Sequence, residues 1–437
     1  MKYFIWTEGC QMNVADSRRL ATTLEKLGYK ITKDLAESDL IILNTCVVRQ
    51  SAEDKAIGRL SSLKSLKIQK PDLVINLMGC LIGVHGNPAI QKRFPWVDVF
   101  SPPSDPSPLL EFLAKQPGKS ESEEWRSKID SIMDEEYSRP EDNESLAVSE
   151  NIPIVLGCSH ACAYCIIPSK RGREISRPFE HIVNEATAYV EHGAKELVLL
   201  GQIVDRYGLD LPEKPNLETL LYELSKIPKL RRLRFLTSHP NWMTDGLIDA
   251  VAKLPKVMPH IEVPAQAGDD DILKAMRRRY TSLEYRSLIQ KIRDRIPNVS
   301  IGTDIIVGFP GESIDAFNNT KQLLTDLKMD VAHLARYSPR PNTYAARFLV
   351  DDVPAEEKMR RFRELEIIQE QISTEINSKV LGQITSVLFE GKTKRRWRGR
   401  NPNNKLVFVD SKENLLGQER DVQITWTGPW SMIGNLI

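Results

Sequence analysis

The sequence predicts a mixed α/β chain in three parts: an N-terminal open parallel α/β sheet, a central partial TIM-like (β/α) barrel, and a small antiparallel β-barrel at the C-terminus. Three observations predict it. Short apolar runs alternate with helical stretches over residues 1–117, and again from 152 to about 350, as parallel strand and helix units do. Beyond 376 that alternation gives way to short strand runs separated by turns. The length of 437 residues is enough for about three domains. With 41% hydrophobic residues, 27% charged residues and a net charge of +1, the composition is that of an ordinary soluble protein and does not by itself point to a partner. No segment has the apolar length of a signal peptide or a bilayer span, which predicts a cytoplasmic protein with no membrane partner.

The elements follow in order. Tyr3–Trp6 reads as a strand, and Leu20, Leu24 and Leu27 mark one helical face closed by Gly28. DLIILNTC is an apolar strand ending in Cys46, a helix covers about 52–66, and DLVINLMGC is a strand ending in Cys80. Residues 118–146 are acidic and lack apolar periodicity, as a linker would. IPIVLGC, ELVLLGQ, LRFLTS, HIEVPAQ, SIGTDIIVGFP and VAHLARYS supply six candidate strands of the central domain, 147–375. A helix follows from about 355 to 378. QITSVLFEG, KLVFVD and RDVQITWTG then suggest a barrel over 376–437.

Six cysteines in a reducing compartment act as ligands or reactive thiols rather than as disulfides. Cys158, Cys162 and Cys165 in GCSHACAYC stand one thiolate short of the four that usually hold a cubic iron–sulfur cluster. One iron is then free to take a small molecule, as a catalytic zinc keeps an open position. Cys10, Cys46 and Cys80 each follow a strand. If those strands are neighbours, the three thiols converge on the carboxyl rim of the sheet, where ligands bind in such folds. The plainer alternative is that small buried cysteines simply end apolar strands. Gln202, Ser238, Gln266 and the turn Gly308 to Glu312 also follow strands, as ligand contacts of a (β/α) barrel do. Arg171 and Arg173, after the cysteine loop, could meet substrate phosphate or lie on the surface.

From Lys379 to Ile437 there are ten Lys plus Arg against five Asp plus Glu, hence +5 where the whole chain is only +1. Arg395, Arg396, Arg398 and Arg400 with Trp397 among them suit an RNA backbone and a stacked base, worth about 1 to 3 kcal/mol per base. The alternative is a solvated basic hairpin.

The loop Cys158-x3-Cys162-x2-Cys165, with Tyr164 before its last cysteine, resembles the signature of the radical S-adenosylmethionine superfamily. With TEGCQMN, NTCVVR, MGC, RGREISRP, LGQ, TSHP, GTDIIVGFPGE and YSPRP, nearly the whole chain resembles the methylthiotransferase family. The resemblance implies a central domain of the radical S-adenosylmethionine type and a C-terminal TRAM domain. It further implies two [4Fe-4S] clusters, one on Cys158, Cys162 and Cys165 that chelates S-adenosylmethionine, the other on Cys10, Cys46 and Cys80 that takes part in sulfur insertion. Tyr164, Gln202, Ser238, Gln266 and Asp304 are the implied cofactor contacts. Implied partners are a tRNA substrate, an electron donor and a sulfur source, with the chain acting as a monomer.

Such machinery suits conversion of an unactivated C–H bond to C–S–CH3, which offers acid/base and nucleophilic catalysis little to act on. Three branches of the family compete: isopentenyladenosine beside the tRNA anticodon, threonylcarbamoyl-adenosine at that position, or an aspartate of a ribosomal protein. GCQMN, NTCVVR, LGQ and GRNPNNKLVFV resemble the first, which is favoured, and CIIPSKRG is closer to the third. Two departures stand out. The usual His-Leu-Pro-x-Gln-Ser-Gly-Ser run reads Glu262-Val263-Pro264-Ala265-Gln266-Ala267-Gly268-Asp269, and Ile203 stands where asparagine is common. A reading of another class is a non-catalytic, metal-containing RNA-binding protein.

Overall fold

Parallel strand pairing organises the N-terminal sheet and the central strand and helix region. The computed structural model describes residues 1–48, 50–115, 125, 127, 129 and 147–437; all but a few residues of the predicted acidic linker lie outside the described residues. The described residues divide into two compact units: those within 1–144, 151–160 and 165–192 form the first, and those within 145–150, 161–164 and 193–437 the second.

In the first unit β1 (Lys2–Thr7), α1 (Gln11–Lys26), β2 (Lys30–Ile31), β3 (Leu40–Thr45), α2 (Gln50–Gln69), β4 (Val74–Gly79), α3 (Pro88–Arg93), β5 (Val99–Ser101) and α4 (Ser107–Ala114) follow one another. The sheet order is β2-β1-β3-β4-β5, parallel throughout. Period-two alternation divides the strands between two cores. Ile41, Leu43, Ile75 and Leu77 pack with Leu60 and Leu63 of α2 and Ile90 of α3. Leu40, Ile42 and Val74 pack on the other face with Leu20 and Leu24 of α1 and Leu109, Leu110 and Leu113 of α4. A sheet covered on both faces needs continuous apolar strands, which is why LIILNT is wholly buried. The strand order reverses between β1 and β3, and in open parallel sheets the carboxyl rim at such a switch point is where ligands bind.

The predicted strand IPIVLGC is divided in two. β6 (Ser149–Pro153) crosses from the second unit into the first, and β7 (Val155–Leu156) pairs antiparallel with β8 (Ile175–Ser176) around α5 (Ile167–Arg171). The first unit closes with α6 (Phe179–Glu191).

The second unit continues with β9 (Glu196–Leu200), α7 (Leu217–Ser225), β10 (Arg232–Phe235), α8 (Asp245–Lys253), β11 (His260–Glu262), α9 (Asp270–Ala275), α10 (Ser282–Arg295), β12 (Ser300–Val307), α11 (Ile314–Leu327), β13 (Val331–Arg336), α12 (Tyr344–Phe348) and α13 (Ala355–Ser378). β10 pairs parallel with β9, the start of β6 lies beside β9, and β11-β12-β13 form a second parallel set joined to the first by a bridge between Leu233 and Val257. This is the predicted incomplete (β/α) barrel.

β14 (Ile384–Thr393), β15 (Arg396–Arg400), β16 (Leu406–Val409), β17 (Glu419–Thr427) and β18 (Met432–Leu436) close into a barrel of order β14-β15-β16-β18-β17. β15 was not foreseen, because RWRGR reads as a basic connection. The pleat sends Trp397 and Gly399 inward and Arg396 and Arg398 outward. Trp397 is only 8% exposed and belongs to the barrel core with Val387, Phe389, Val407 and Val409. The expectation that it stacks on an RNA base is therefore corrected: packing covers the ring.

Two buried arginines of β10 fasten this barrel to the amino ends of the parallel strands. Arg232 donates through Nε and Nη2 to Glu419 Oε1 at 2.9 and 2.7 Å and through Nη1 to the Arg400 carbonyl at 2.6 Å. Arg234 donates to Glu196 Oε2 at 2.8 Å and to the carbonyls of Pro402 and Asn401. Arg234→Ala leaves the Glu196 carboxylate buried with the Ser149 hydroxyl at 2.9 Å as its remaining side-chain donor. It is expected to destabilise the protein by about 3 to 5 kcal/mol, read by urea unfolding, and the double variant Glu196→Gln/Arg234→Met should recover part of that loss.

Candidate functional site

Strand register brings the first three cysteines together. Thr45 of β3 pairs with Gly79 of β4, so Cys46 and Cys80 leave adjacent strand ends side by side. Cys10 caps α1 just after β1, the other neighbour of β3, with its Sγ 3.3 Å from Asn13 Oδ1. Asn13 is buried and ties this turn to β3 by donating to Asn44 Oδ1 and the Thr45 carbonyl. At Gly9 the backbone approaches so closely that a Cβ would sit 2.9 Å from the Cys46 Cβ. The neighbour condition set by the sequence is thus met: Cys10, Cys46 and Cys80 share one rim.

Arg171 is buried in the same unit, with Nη2 3.3 Å from Asp16 Oδ2 and Nη1 3.2 Å from Ser104 Oγ. The Cys80 thiol is pulled below its usual range, first by its hydrogen bond with Cys46 and then by the Arg171 charge. Cys46 is pushed up by that same hydrogen bond and by burial. A buried cation beside converging soft thiols favours the thiolate, the form in which cysteine binds metal. The donor set therefore fits an iron–sulfur group. Arg171 does not meet substrate phosphate, because it is sealed under Asp16; Arg173 is exposed. Among the described residues no group of three His, Cys, Asp or Glu side chains stands arranged for a single metal ion.

Of the second cysteine loop, Cys158 and Cys165 lie in the first unit and Cys162 in the second. In the first unit Cys158 N–H donates to the Gly172 carbonyl at 3.1 Å, and Cys158 Sγ accepts from His160 N–H at 3.4 Å. In the second unit Ala163 N–H donates to the Met276 carbonyl and Ala345 N–H to the Ala163 carbonyl. Arg278 places Nη1 3.4 Å from Cys162 Sγ, Nη2 3.2 Å from the Pro264 carbonyl and Nε 3.1 Å from Tyr280 Oη. N–H donors and a guanidinium aimed at sulfur suit thiolate ligands of an iron–sulfur group. Arg278 escaped the sequence reading because Arg277-Arg278-Arg279 looks like a solvated charge run; nothing local marks its middle member as the one buried.

Of the other predicted contacts, Tyr164 meets Phe309 edge to face with centroids 6.4 Å apart. Gln202 follows β9 and is partly exposed. Ser238 follows β10, and its hydroxyl is buried with no hydrogen-bond partner among the described residues. Gln266, after β11, is held at φ 71° by Gln266 N–H to the Asp304 carbonyl and Ile306 N–H to the Gln266 carbonyl, which places it beside Asp304 on β12. All five lie in the second unit, and Gln202, Ser238 and Gln266 sit beyond the carboxyl ends of their strands, as cofactor contacts of this architecture do. The turn 308–312 is instead tied down by Glu312, whose Oε2 accepts from Gly308 N–H at 2.6 Å and from Arg361 at 2.7 Å. In the barrel Arg395, Arg396 and Arg398 are exposed, and Arg400 turns toward Glu390 at 3.5 Å.

Two buried groups give the second unit a pH signature. Asp205 accepts from His239 N–H at 2.9 Å, and burial pushes its carboxyl up to about 7. Burial pushes His260 down to about 4. The raised Asp205 contributes stability that is full below its unfolded value near 3.8 and is lost as pH rises through 7. The depressed His260 contributes stability present above 6.5 and lost as pH falls toward 4. Each amounts to about 3 to 4 kcal/mol at the limit. Between pH 4 and 6.5 they oppose, so Asp205→Asn is expected to turn a nearly flat stability profile into one that rises with pH, read by urea unfolding at stepped pH.

A family model described as uncharacterized protein family UPF0004 matches residues 2–101, and one for the radical SAM superfamily matches residues 152–324. A protein of Roseiflexus sp. named tRNA-2-methylthio-N(6)-dimethylallyladenosine synthase is 47% identical over all of this chain and 89% of its own length. One of the same name from Herpetosiphon aurantiacus is 44% identical over all of this chain and 97% of its own. Among solved structures, the radical S-adenosylmethionine methyltransferase TsrM from Kitasatospora setae, with cobalamin and a [4Fe-4S] cluster bound, shares the fold with a TM-score of 0.51 at 14% identity, over 79% of this chain and 77% of that one. No helix among the described residues is long and apolar enough to cross a membrane. Two cysteine sets, a parallel (β/α) core and full-length relatives well above 40% identity lead to one assignment: the chain belongs to the radical S-adenosylmethionine methylthiotransferase family, with relatives named tRNA-2-methylthio-N(6)-dimethylallyladenosine synthase.

Proposed function

We propose that the chain converts N(6)-isopentenyladenosine at position 37 of tRNA, next to the anticodon, into its 2-methylthio derivative. The observation that carries this reading is the shared rim of Cys10, Cys46 and Cys80, a thiol set separate in sequence from the Cys158, Cys162 and Cys165 loop. It is joined by the names of the full-length relatives. In this reading each set holds one [4Fe-4S] cluster, and the loop set also takes S-adenosylmethionine. Residues 1–117 carry the auxiliary cluster, 147–375 the radical chemistry and 376–437 the RNA contact, with 118–146 as linker.

When bound, these groups supply a 5′-deoxyadenosyl radical, the inserted sulfur and the methyl group. The protein's residues do the rest. Arg278 holds Cys162 from one side, and Arg171 lowers the charge cost of thiolates at Cys80. Tyr164, Gln202, Ser238, Gln266 and Asp304 orient S-adenosylmethionine, the partnerless Ser238 hydroxyl being a donor that a ligand can satisfy. An electron donor and a sulfur source complete the cycle. Mass spectrometry of tRNA nucleosides from a strain lacking the gene tests the reading. Loss of the 2-methylthio group from isopentenyladenosine, with other methylthio nucleosides intact, is expected. An unchanged nucleoside profile overturns it.

A further inference from the structure

With Trp397 inside the barrel, the module's RNA contact needs another aromatic. The outer surface supplies a row of them. Arg398 of β15 pairs with Phe408 of β16, Phe408 with Ile433 of β18, and Ile433 with Trp426 of β17. Their side chains therefore line up across four adjacent strands on one face. Inward neighbours confirm the direction: Val407, Val409, Ile424 and Met432 are buried, while Arg398 is exposed, Phe408 and Ile433 are half-buried and Trp426 is 49% exposed.

A bulge makes this row possible. In a regular strand Trp426 would point inward with Ile424, two residues before it. The register shift between Ile424 and Trp426 turns the indole outward instead. The ring is also fixed in place. A methyl group at Gly428 would overlap its six-membered edge, so the indole packs against that backbone, which Asn377 holds by donating to the Gly428 carbonyl at 2.8 Å. Trp430, on the turn that follows, is 57% exposed.

A half-exposed indole in one row with a half-buried phenyl ring, Ile433 between them and a guanidinium at the end, is a costly surface to leave in water. It has the elements of a nucleobase platform: aromatic faces to stack on, and cations to follow the phosphates. Charge selects the occupant. The module carries +5, and Arg395 and Arg396 stand exposed beside Arg398. We propose that the outer row Arg398, Phe408, Ile433 and Trp426, extended by Trp430, is a base-stacking face for unpaired nucleotides of the RNA substrate. This rests on the RNA reading proposed above and relocates its contact from the barrel core to the surface.

The test uses the reconstituted full chain and two labelled probes, isopentenylated tRNA and single-stranded oligoadenylate, followed by fluorescence anisotropy over a salt series. Trp426→Ala is expected to weaken both about tenfold to a hundredfold while leaving the slope of log affinity against log salt unchanged. Trp426→Phe should keep most of the affinity, and Arg398→Gln should lower the salt slope by about one. Unchanged melting temperatures exclude misfolding. A parent that binds RNA with Trp426→Ala and Trp430→Ala equal to it overturns the stacking face alone and leaves the surface to a protein partner. A parent that binds neither probe overturns the RNA reading and this inference together.

Discussion

Cys46→Ala is expected to lose methylthiolated product about a hundredfold or more while still cleaving S-adenosylmethionine to 5′-deoxyadenosine near the parental rate. Even changes outside the first ligands of a metal centre cost about 10- to 100-fold, and Cys46 is proposed as a direct ligand. Cys10→Ala and Cys80→Ala should behave alike, because the three thiols share the rim formed by β1, β3 and β4. Iron content should fall from about eight to about four per chain in each variant. The measurement is anaerobic reconstitution, iron analysis and chromatography of both products. If 5′-deoxyadenosine formation disappears together with thiolation, the division of labour between the two cysteine sets is wrong. Arg171→Met offers a milder version: it removes the buried cation beside Cys80, leaves Asp16 uncompensated, and should weaken retention of the auxiliary irons.

Cys162→Ala is expected to abolish both products, since without the loop set there is no radical to begin the reaction. Iron should again fall by about half, now from the other site. A finer test lies next to it. Arg278→Gln keeps all three loop thiols but removes the charged donor 3.4 Å from Cys162 Sγ. A cation near the cluster stabilises its more negative reduced state, so the variant should retain iron, show a lower reduction potential by electron paramagnetic resonance titration, and form 5′-deoxyadenosine more slowly. An unchanged potential would assign Arg278 to packing alone, through its bonds to Pro264 and Tyr280.

Most of the architecture could be read along the chain because its signals are local. LIILNT and VINLMG are short apolar runs of strand length, the helices between them carry apolar faces, and three cysteines sit immediately after strands. The loop Cys158-x3-Cys162-x2-Cys165 is legible for the same reason, its spacing being a property of one turn of chain. What misled was a pattern whose meaning depends on partners far away. RWRGR looks like a basic connection until β14 and β16 pair on either side of it and pull Trp397 inward. Ile424 and Trp426 have the spacing of one face, yet a bulge puts them on opposite faces.

By itself, then, the sequence determined the two cysteine sets, the parallel strand and helix units and a basic C-terminal barrel, because periodicity and spacing act over a few residues. Only the tertiary structure decided which charges are buried and which aromatics are exposed. Arg171 is sealed by Asp16, 155 residues earlier, and Arg232 by Glu419, 187 residues later. An ionised side chain leaves water only where a compensating group is already placed to meet it, and that placement belongs to the fold rather than to any stretch of chain.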